Sequence, residues 1–302
     1  MKVLLIVLDH PAAAEHTLAY ANKLAVRWPA EVVLLRCLAP SASADAADAA
    51  HALATEEQRL HGLVERLRYQ QLTRQNGRRI RYRYRVLAGA LPDHVQAEAT
   101  RCAADLVVMG LEPIDCCHHA TPDNHPAALV ELLTCPVLVV PTGRRSLPRR
   151  AVFSADFEGL AESFLGRLSA LAGAFPVPLD LVQLYAPLAR PHRRPLQEAL
   201  RAAAARVVWA APVAGHLVED EHPLEGTDEF CARQQADLLI IAPTSAGQLL
   251  PYFATCYTKT RAYHTQIPVL VLRATGYGAG QPTGCARCAR ELALRALPGG
   301  LS

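Results

Sequence analysis

The most regular feature of the chain is a pattern of apolar and polar positions that occurs twice. In the first copy, Asp105 precedes one apolar run and Pro136 precedes the next. In the second copy, Asp237 and Pro268 hold these places, and the spacing of 31 positions is the same. Short apolar runs that follow a polar residue or a proline are typical of strands buried on both faces. The intervening stretch is long enough for a loop and a helix, so each copy predicts two parallel strands joined by a helix.

Three further strands are predicted before each copy. In the first half of the chain they are Val3–Leu8, Glu31–Leu38 and Ile80–Val86. After a linker at residues 142–150 that contains Gly, Pro and Arg, the predicted strands are Ala151–Ala155, Leu179–Tyr185 and Val213–Glu219. Five strands that alternate with helices predict a doubly wound, five-stranded parallel α/β sheet, and its recurrence predicts a tandem duplication. We therefore expect domain 1 at residues 1–143, domain 2 at residues 150–275 and a flexible C-terminal tail at residues 276–302.

Apolar spacing also predicts the helices. The Ala-rich stretch Ala12–Arg27 and a long amphipathic stretch that ends near Gly77 are expected helices of the first half. In the second half, apolar residues spaced by three and four from Phe164 to Phe175 predict one helix. Pro195 is expected to open the next helix.

Composition adds few further limits. The chain is 51% hydrophobic and has a formal charge of +3, which is too small to indicate nucleic acid or an anionic membrane as a partner. The apolar runs are too short for a membrane span, and the first is too short for a signal peptide. Nine scattered cysteines without an export signal favour reduced thiols, so a cytoplasmic location is expected. On the third strand, arginines alternate with tyrosines, which indicates an edge strand with one solvent-exposed face.

Both halves resemble the universal stress protein family. The resemblance rests on a first strand that ends in Asp9 or Asp156, on a fourth strand written Ala-Asp-Leu-Val-Val-Met-Gly and on a fifth written Cys-Pro-Val-Leu-Val-Val-Pro. It implies a tandem protein of the adenine-nucleotide alpha-hydrolase type whose two domains pair through their fifth strands. A homodimer is a further option that the sequence leaves open.

The family's ATP-binding motif, G-x2-G-x9-G-[ST], is degenerate in both halves. Its glycines let backbone amides approach phosphate oxygens after the fourth strand. The corresponding residues are Gly110, Pro113, Asp123 and Asn124 in the first half and Ala242, Ser245, Thr255 and Cys256 in the second. Pro113 removes an amide donor and Asp123 adds negative charge. The sequence therefore predicts that the fold is kept and the phosphate site is lost.

Two aspartates at strand ends have two interpretations. Nucleotide-binding relatives use an aspartate at the place of Asp9 and Asp156 to hold adenosine. A helix cap or a strand-end turn explains the same residues, and we favour it because the phosphate glycines are missing. If a nucleotide binds, the resemblance assigns its contacts to Asp9, Gly110, Asn124 and Asp156. ATP or AMP in domain 1 is then the cofactor; otherwise none is expected.

Two cysteine-containing segments are candidates for metal or thiol chemistry. The loop Cys116–His119 lies close to Asp123 and His125 and offers potential zinc ligands. Its adjacent Cys-Cys and His-His pairs do not match the usual ligand spacings, so no metal site is predicted. Cys285 and Cys288 form a C-x-x-C without a second pair, and we interpret them as part of the tail.

The chain contains none of the common nucleophile-elbow, P-loop or metalloprotease motifs. The sequence therefore predicts a non-enzymatic stress-response protein that binds an unknown protein partner or small molecule. Neither nucleic acid nor a membrane is an expected partner. One alternative is an ATP- or AMP-binding stress sensor that uses domain 1 with atypical phosphate contacts. Another is a metal- or thiol-responsive protein that uses the Cys116–His119 loop.

Overall fold

The computed structural model describes residues 1–8, 11–39, 46–72, 79–111, 126–243, 249–253 and 263–273. Some sequence predictions lie outside these ranges. They concern Asp9, Asn124, the Cys116–His119 loop and the tail at residues 276–302, and they stay predictions.

The described strands form a single ten-stranded sheet. Strands β1–β5 are Lys2–Val7, Ala30–Leu38, Tyr82–Ala88, Leu106–Leu111 and Val137–Pro141. Strands β6–β10 are Ala151–Ser154, Leu179–Tyr185, Val213–Glu219, Leu238–Ile241 and Val269–Val271. The predicted bounds of the strands at 179–185 and 213–219 are confirmed, whereas β1 begins one residue earlier and β3 two residues later than predicted.

Both halves of the sheet have the same strand order. The order across the sheet is β3-β2-β1-β4-β5-β10-β9-β6-β7-β8, so β1–β5 (the first half) and β6–β10 (the second half) are each wound in the same way. All pairings within a half are parallel. The predicted α/β fold with a mostly parallel sheet is confirmed.

Seven α-helices lie in the described part of the chain. Helices α1–α7 are Pro11–Arg27, Ala46–Leu72, Leu91–Arg101, Pro126–Leu132, Glu162–Ala170, Arg193–Arg206 and Pro223–Gln234. Short 3-10 helices occur at Pro187–His192, Leu250–Tyr252 and Tyr263–Gln266. None of the helices among the described residues is long and apolar enough to cross a membrane.

Two helix predictions need correction. Helix α5 ends at Ala170 rather than near Phe175, because Pro176 disfavours helical backbone in the residue before it. Phe175 is nevertheless fully buried. It fitted the apolar spacing of the predicted helix because it belongs to the core, although it lies beyond the end of α5. Helix α6 begins at Arg193, directly after a 3-10 turn, and not at Pro195. Between β9 and β10, most of the counterpart of α4 lies outside the described residues, so the helix expected there stays a prediction.

The two halves meet along their fifth strands. Strand β10 pairs antiparallel with β5, and Leu270 lies opposite Leu138. All three paired residues on each strand are completely buried. Side chains also cross the boundary: Arg273 Nη1 donates to the carbonyl of Val130 at 2.5 Å, and Arg167 Nη1 donates to the carbonyl of Thr134 at 2.7 Å.

A hydrophobic core covers each face of the sheet, and both cores extend across the two halves. On one face, Leu24 of α1 and Trp28, which follows α1, belong to the same cluster as Phe164 and Leu168 of α5. On the other face, α3 and α4 share a cluster with α7. Trp28 also lies against Gly173, where an added Cβ would be 3.4 Å from the indole ring. The halves are therefore packed as one body.

The repeated aspartates fasten the fourth strand of each half to the first. Asp105 accepts hydrogen bonds from the backbone of Val3 and from Lys2 Nζ, both at 2.9 Å. Asp237 accepts one from the backbone of Arg149 at 3.0 Å, two residues before β6 begins. The aspartates that defined the repeat thus have a structural function at the amino ends of the strands.

Strand β3 is an edge strand of the sheet, as predicted from its alternation. Tyr82 points into the core, whereas Arg83 and Arg85 lie on the exposed face. The arginines are not simply solvated. Arg83 forms an ion pair with the buried Glu31, and Arg85 lies 3.6 Å from the buried Glu98.

Candidate functional site

A cavity of about 650 Å³ opens at the carboxyl ends of β6, β7 and β9. This is the edge at which doubly wound sheets bind ligands, next to the point where the strand order reverses between β6 and β9. The apolar part of its wall includes Leu184, Leu196, Ile241, Ala242 and Pro251. Its polar part includes Ser154, Asp156, Glu158, Gln183, Tyr185, Thr227 and Tyr252.

Asp156 stands at the mouth of the cavity, two residues after the end of β6. Its Oδ1 accepts a hydrogen bond from the backbone of Glu158 at 3.2 Å, which closes a short turn. The same oxygen accepts a second bond from Gln183 Nε2 at 2.9 Å. Asp156 does not cap a helix, because α5 begins only at Glu162 and Ala161 is its N-cap. Asp156 therefore makes a strand-end turn and also lines the cavity.

Gln183 fixes the orientation of this turn. It lies in β7, is almost completely buried, and accepts a hydrogen bond from the backbone of Phe157 at 3.1 Å through Oε1. With both ends of its amide bonded to the segment after β6, Gln183 holds the Asp156 carboxylate in place. A polar residue near the carboxyl end of a buried strand was the signal in the sequence for this part of the site.

The wall between β6 and α7 carries two hydroxyl groups. Thr227 donates to the carbonyl of Pro223 at 2.8 Å. Its oxygen lies 3.1 Å from Ser154 Oγ. Because the carbonyl can only accept, the Thr227 proton is committed to it, and Ser154 must be the donor between the two hydroxyls. Ser154 Oγ therefore offers lone pairs, not a proton, to the cavity.

Two tyrosines complete the polar wall. Tyr185 donates its hydroxyl proton to Glu219 at 3.1 Å, and Arg190 binds the same carboxylate through two nitrogens. The hydrogen bond from Arg190, supported by the one from Tyr185, lowers the pKa of Glu219. Burial raises the pKa of Tyr252 to about 12, so its phenol is neutral at pH 7.

The described lining of the cavity carries negative charge. Asp156 and Glu158 are the charged side chains among the described lining residues, and no Lys, Arg or His occurs among them. Arg190 is paired with Glu219 and lies outside the lining. Within the described part of the chain, no group of three or more His, Cys, Asp or Glu side chains is arranged to hold a metal ion.

The first half differs from the second at the position that corresponds to Gln183. Val7 lies opposite Leu35 in β2, and Ser154 lies opposite Val182 in β7. The next residue is Arg36 in the first half and Gln183 in the second. Arg36 Nη1 donates to the carbonyl of Leu8 at 2.7 Å, and its Nε lies 3.6 Å from Glu56. A guanidinium thus stands at the carboxyl edge where the second half has a neutral amide.

The sequence-predicted site residues are brought together only in part. Gly110 is buried inside β4, opposite Val140 of β5. Asp156 lies at the cavity of the second half and is therefore in the other half from Gly110. Asp9 and Asn124 are outside the described residues.

Three of the four described cysteines are poorly suited to thiol chemistry. Burial raises the pKa of Cys102, Cys135 and Cys231, and that of Cys135 reaches about 11. Since the thiolate is the reactive form, these three residues are unreactive at neutral pH.

The doubly wound sheet, with its ligand edge at the carboxyl ends of the strands, defines the class: an α/β protein of the nucleotide alpha-hydrolase-like type. Residues 1–141 match the universal stress protein family. This part of the chain is therefore a universal stress protein domain.

Solved structures share the fold over most of the chain. One is a protein of unknown function from Pseudomonas aeruginosa PAO1, with 18% identity, a TM-score of 0.61 and coverage of 90% of this chain and 92% of that one. Another is a universal stress protein from Archaeoglobus fulgidus DSM 4304, with 13% identity, a TM-score of 0.63 and coverage of 89% and 98%. At these identities the likeness establishes the fold alone. A comparison with curated protein sequences gave no match.

Proposed function

We propose that the protein is a non-enzymatic stress-response protein that binds a small organic ligand in the cavity of its second half. The cavity carries the proposal: its volume of about 650 Å³ and its mixed apolar and polar wall are those of a small-molecule site. The role in stress response follows from the universal stress protein domain at residues 1–141.

The side chains of the cavity support binding without phosphate. Phosphate sites use backbone amides at glycines, helix N-termini or cationic side chains. The described wall has Ala242 at the first motif position and two carboxylates at the mouth. We propose on this basis that the ATP-binding function of the family motif is lost in the second half.

The same wall supports a non-enzymatic function. A hydroxyl nucleophile needs a neighbouring base, and Ser154 has Thr227 as its hydrogen-bond partner instead of a histidine or lysine. The His216–Asp180 pair lies elsewhere: Asp180 is the second residue of β7, away from the carboxyl edge.

Three finer features are part of the proposal. The shared strand order supports a second universal stress protein domain in the second half. Members of the family often form homodimers, and we propose that the β5–β10 pairing takes the place of such a dimer within one chain. We also propose a cytoplasmic location, on the basis of the cysteine content described above.

A ligand search combined with a blocked cavity tests the main proposal. Protein purified without a tag is analysed by native mass spectrometry for bound small molecules, together with Ala242→Trp, whose indole would fill the cavity. The matched control is Ala202→Trp on the exposed face of α6. We expect the bound molecule to be lost from Ala242→Trp and kept by the control. Equal retention by both variants, or no small molecule bound to any protein, contradicts the proposal.

A second candidate function is nucleotide binding by the first half. This function is favoured by the position of Arg36, whose positive charge lies at the carboxyl edge of the universal stress protein domain. Calorimetry of the full chain with magnesium-ATP and with AMP tests it. A micromolar dissociation constant that Arg36→Gln weakens would establish nucleotide binding there.

A further inference from the structure

We infer that the ligand of the second-half cavity carries a cationic or hydrogen-bond-donating group and neither a phosphate nor a carboxylate. The inference rests on the proposed function, because it concerns the same cavity. It follows from the direction of each hydrogen bond in the wall and from the charge at the mouth.

The hydroxyl groups of Ser154, Thr227 and Tyr185 in the wall of the cavity offer hydrogen-bond acceptors to a ligand. The proton of Thr227 is committed to the carbonyl of Pro223, and the proton of Ser154 is committed to Thr227. Tyr185 donates its proton to Glu219, outside the lining. Three of the four hydroxyl groups in the wall, those of Ser154, Thr227 and Tyr185, therefore have their protons bound by the protein. A ligand polar group that meets Ser154 has to be the donor.

The mouth of the cavity offers further acceptors. Oδ1 of Asp156 takes both of the hydrogen bonds that this carboxylate receives, from Gln183 and Glu158. Among the described residues, no donor is bonded to Oδ2, and no cationic side chain is paired with Asp156 or Glu158. Both side chains are solvent-exposed. An amine or amidine on the ligand would supply the missing charge-assisted hydrogen bonds.

Gln183 explains why the mouth keeps its negative charge. At the corresponding position, the first half has Arg36, whose guanidinium would neutralise a neighbouring carboxylate. Gln183 instead holds Asp156 through a neutral amide at 2.9 Å. The first half thus has a cation at this position and the second half a neutral amide, so the negative charge of Asp156 is not offset by a described side chain.

The body of the ligand is apolar. Leu184, Leu196, Ile241 and Pro251 line the wall, and Tyr252 adds an aromatic ring with a neutral phenol. An aromatic or aliphatic ring system that bears an amine would bury its body here and leave the amine at the mouth beside Asp156.

Probes that differ only in charge test this inference. Indole, naphthalene and purine are each used with an aminoethyl, an ethyl or a carboxymethyl substituent, and binding to the full chain at pH 7 is followed by ligand-observed NMR. Signals lost in Ala242→Trp identify binding in the cavity. In every ring series that binds, we expect the amine to bind about fivefold more tightly than the neutral probe, which is the scale of an exposed ion pair, and the carboxylate to bind more weakly than both.

Variants separate the charge effect from folding. The double variant Asp156→Asn, Glu158→Gln should remove the preference for the amine and leave the affinity of the ethyl probe within twofold. Glu229→Gln, an exposed carboxylate of α7 outside the lining, is the matched control and should keep the preference. Carboxymethyl probes that bind as tightly as amines, or an amine preference that survives the double variant, would overturn the inference but not the proposed function. If no probe of any charge binds in the cavity, both are overturned.

Discussion

At the scale of single residues, the chain uses aspartate for two different purposes. Asp105 and Asp237 sit at the amino ends of the strands and hold neighbouring strands together through backbone amides. Asp156 sits at the opposite edge, where its carboxylate turns the chain and faces a cavity. The difference lies in what each carboxylate contacts, because the residue type is the same.

The structural aspartates lead to a prediction about stability. Asp105→Ala removes the acceptor for the backbone of Val3 and for Lys2, so we expect the free energy of unfolding to fall by about 1–3 kcal/mol. Asp105→Asn keeps one acceptor oxygen and should lose less. Urea denaturation measures both values, and equal stability of Asp105→Ala and the wild type would contradict the role given to the repeat.

At the scale of elements, the edge strand β3 shows how charge is combined with burial. Arg83 is partly exposed, whereas its partner Glu31 is almost fully buried. A buried carboxylate that loses its partner is destabilising. The arginines therefore protect the edge from pairing with other strands and also neutralise carboxylates under the helices.

Arg83 of β3 and Arg81, directly before this strand, should differ in their effect on stability. Arg83→Ala leaves Glu31 without its cation and should lower the free energy of unfolding by about 1–2 kcal/mol. The expected loss is smaller than for a fully buried ion pair because Arg83 is partly exposed to solvent. Arg81→Ala is the matched control, because Arg81 has no ion pair within the described ranges. Adding Glu31→Gln to Arg83→Ala should recover part of the loss. A similar loss for both single variants, measured by thermal and urea unfolding, would argue against the pairing.

At the scale of the whole molecule, the two halves are joined into one body. The sheet continues from β5 to β10, and each core includes helices from both halves. Contacts such as Arg273 to Val130 add polar links across the boundary. Because the buried surface is shared, neither half has a complete core without the other.

Shared cores predict a single cooperative unfolding transition. Val269→Asp places a carboxylate in the fully buried β5–β10 seam and should lower the free energy of unfolding by about 3–5 kcal/mol while the transition stays single. Ala214→Asp, on the exposed edge strand β8, is the control and should change stability little. Differential scanning calorimetry decides the matter: two transitions, of which only one responds to Val269→Asp, would show that the halves unfold independently.

The sequence by itself determined the parallel α/β fold, because buried strands and amphipathic helices have local periods that can be read directly. It also located the strands Leu179–Tyr185 and Val213–Glu219 and identified β3 as an edge strand. The end of α5 was wrong in the sequence prediction because Phe175 is buried by contacts outside a helix. Only the tertiary structure decided that Asp156, Gln183 and Thr227, from three separate elements, meet around one cavity. The directions of their hydrogen bonds depend on distances between segments far apart in the chain, and no local pattern of residues encodes those distances.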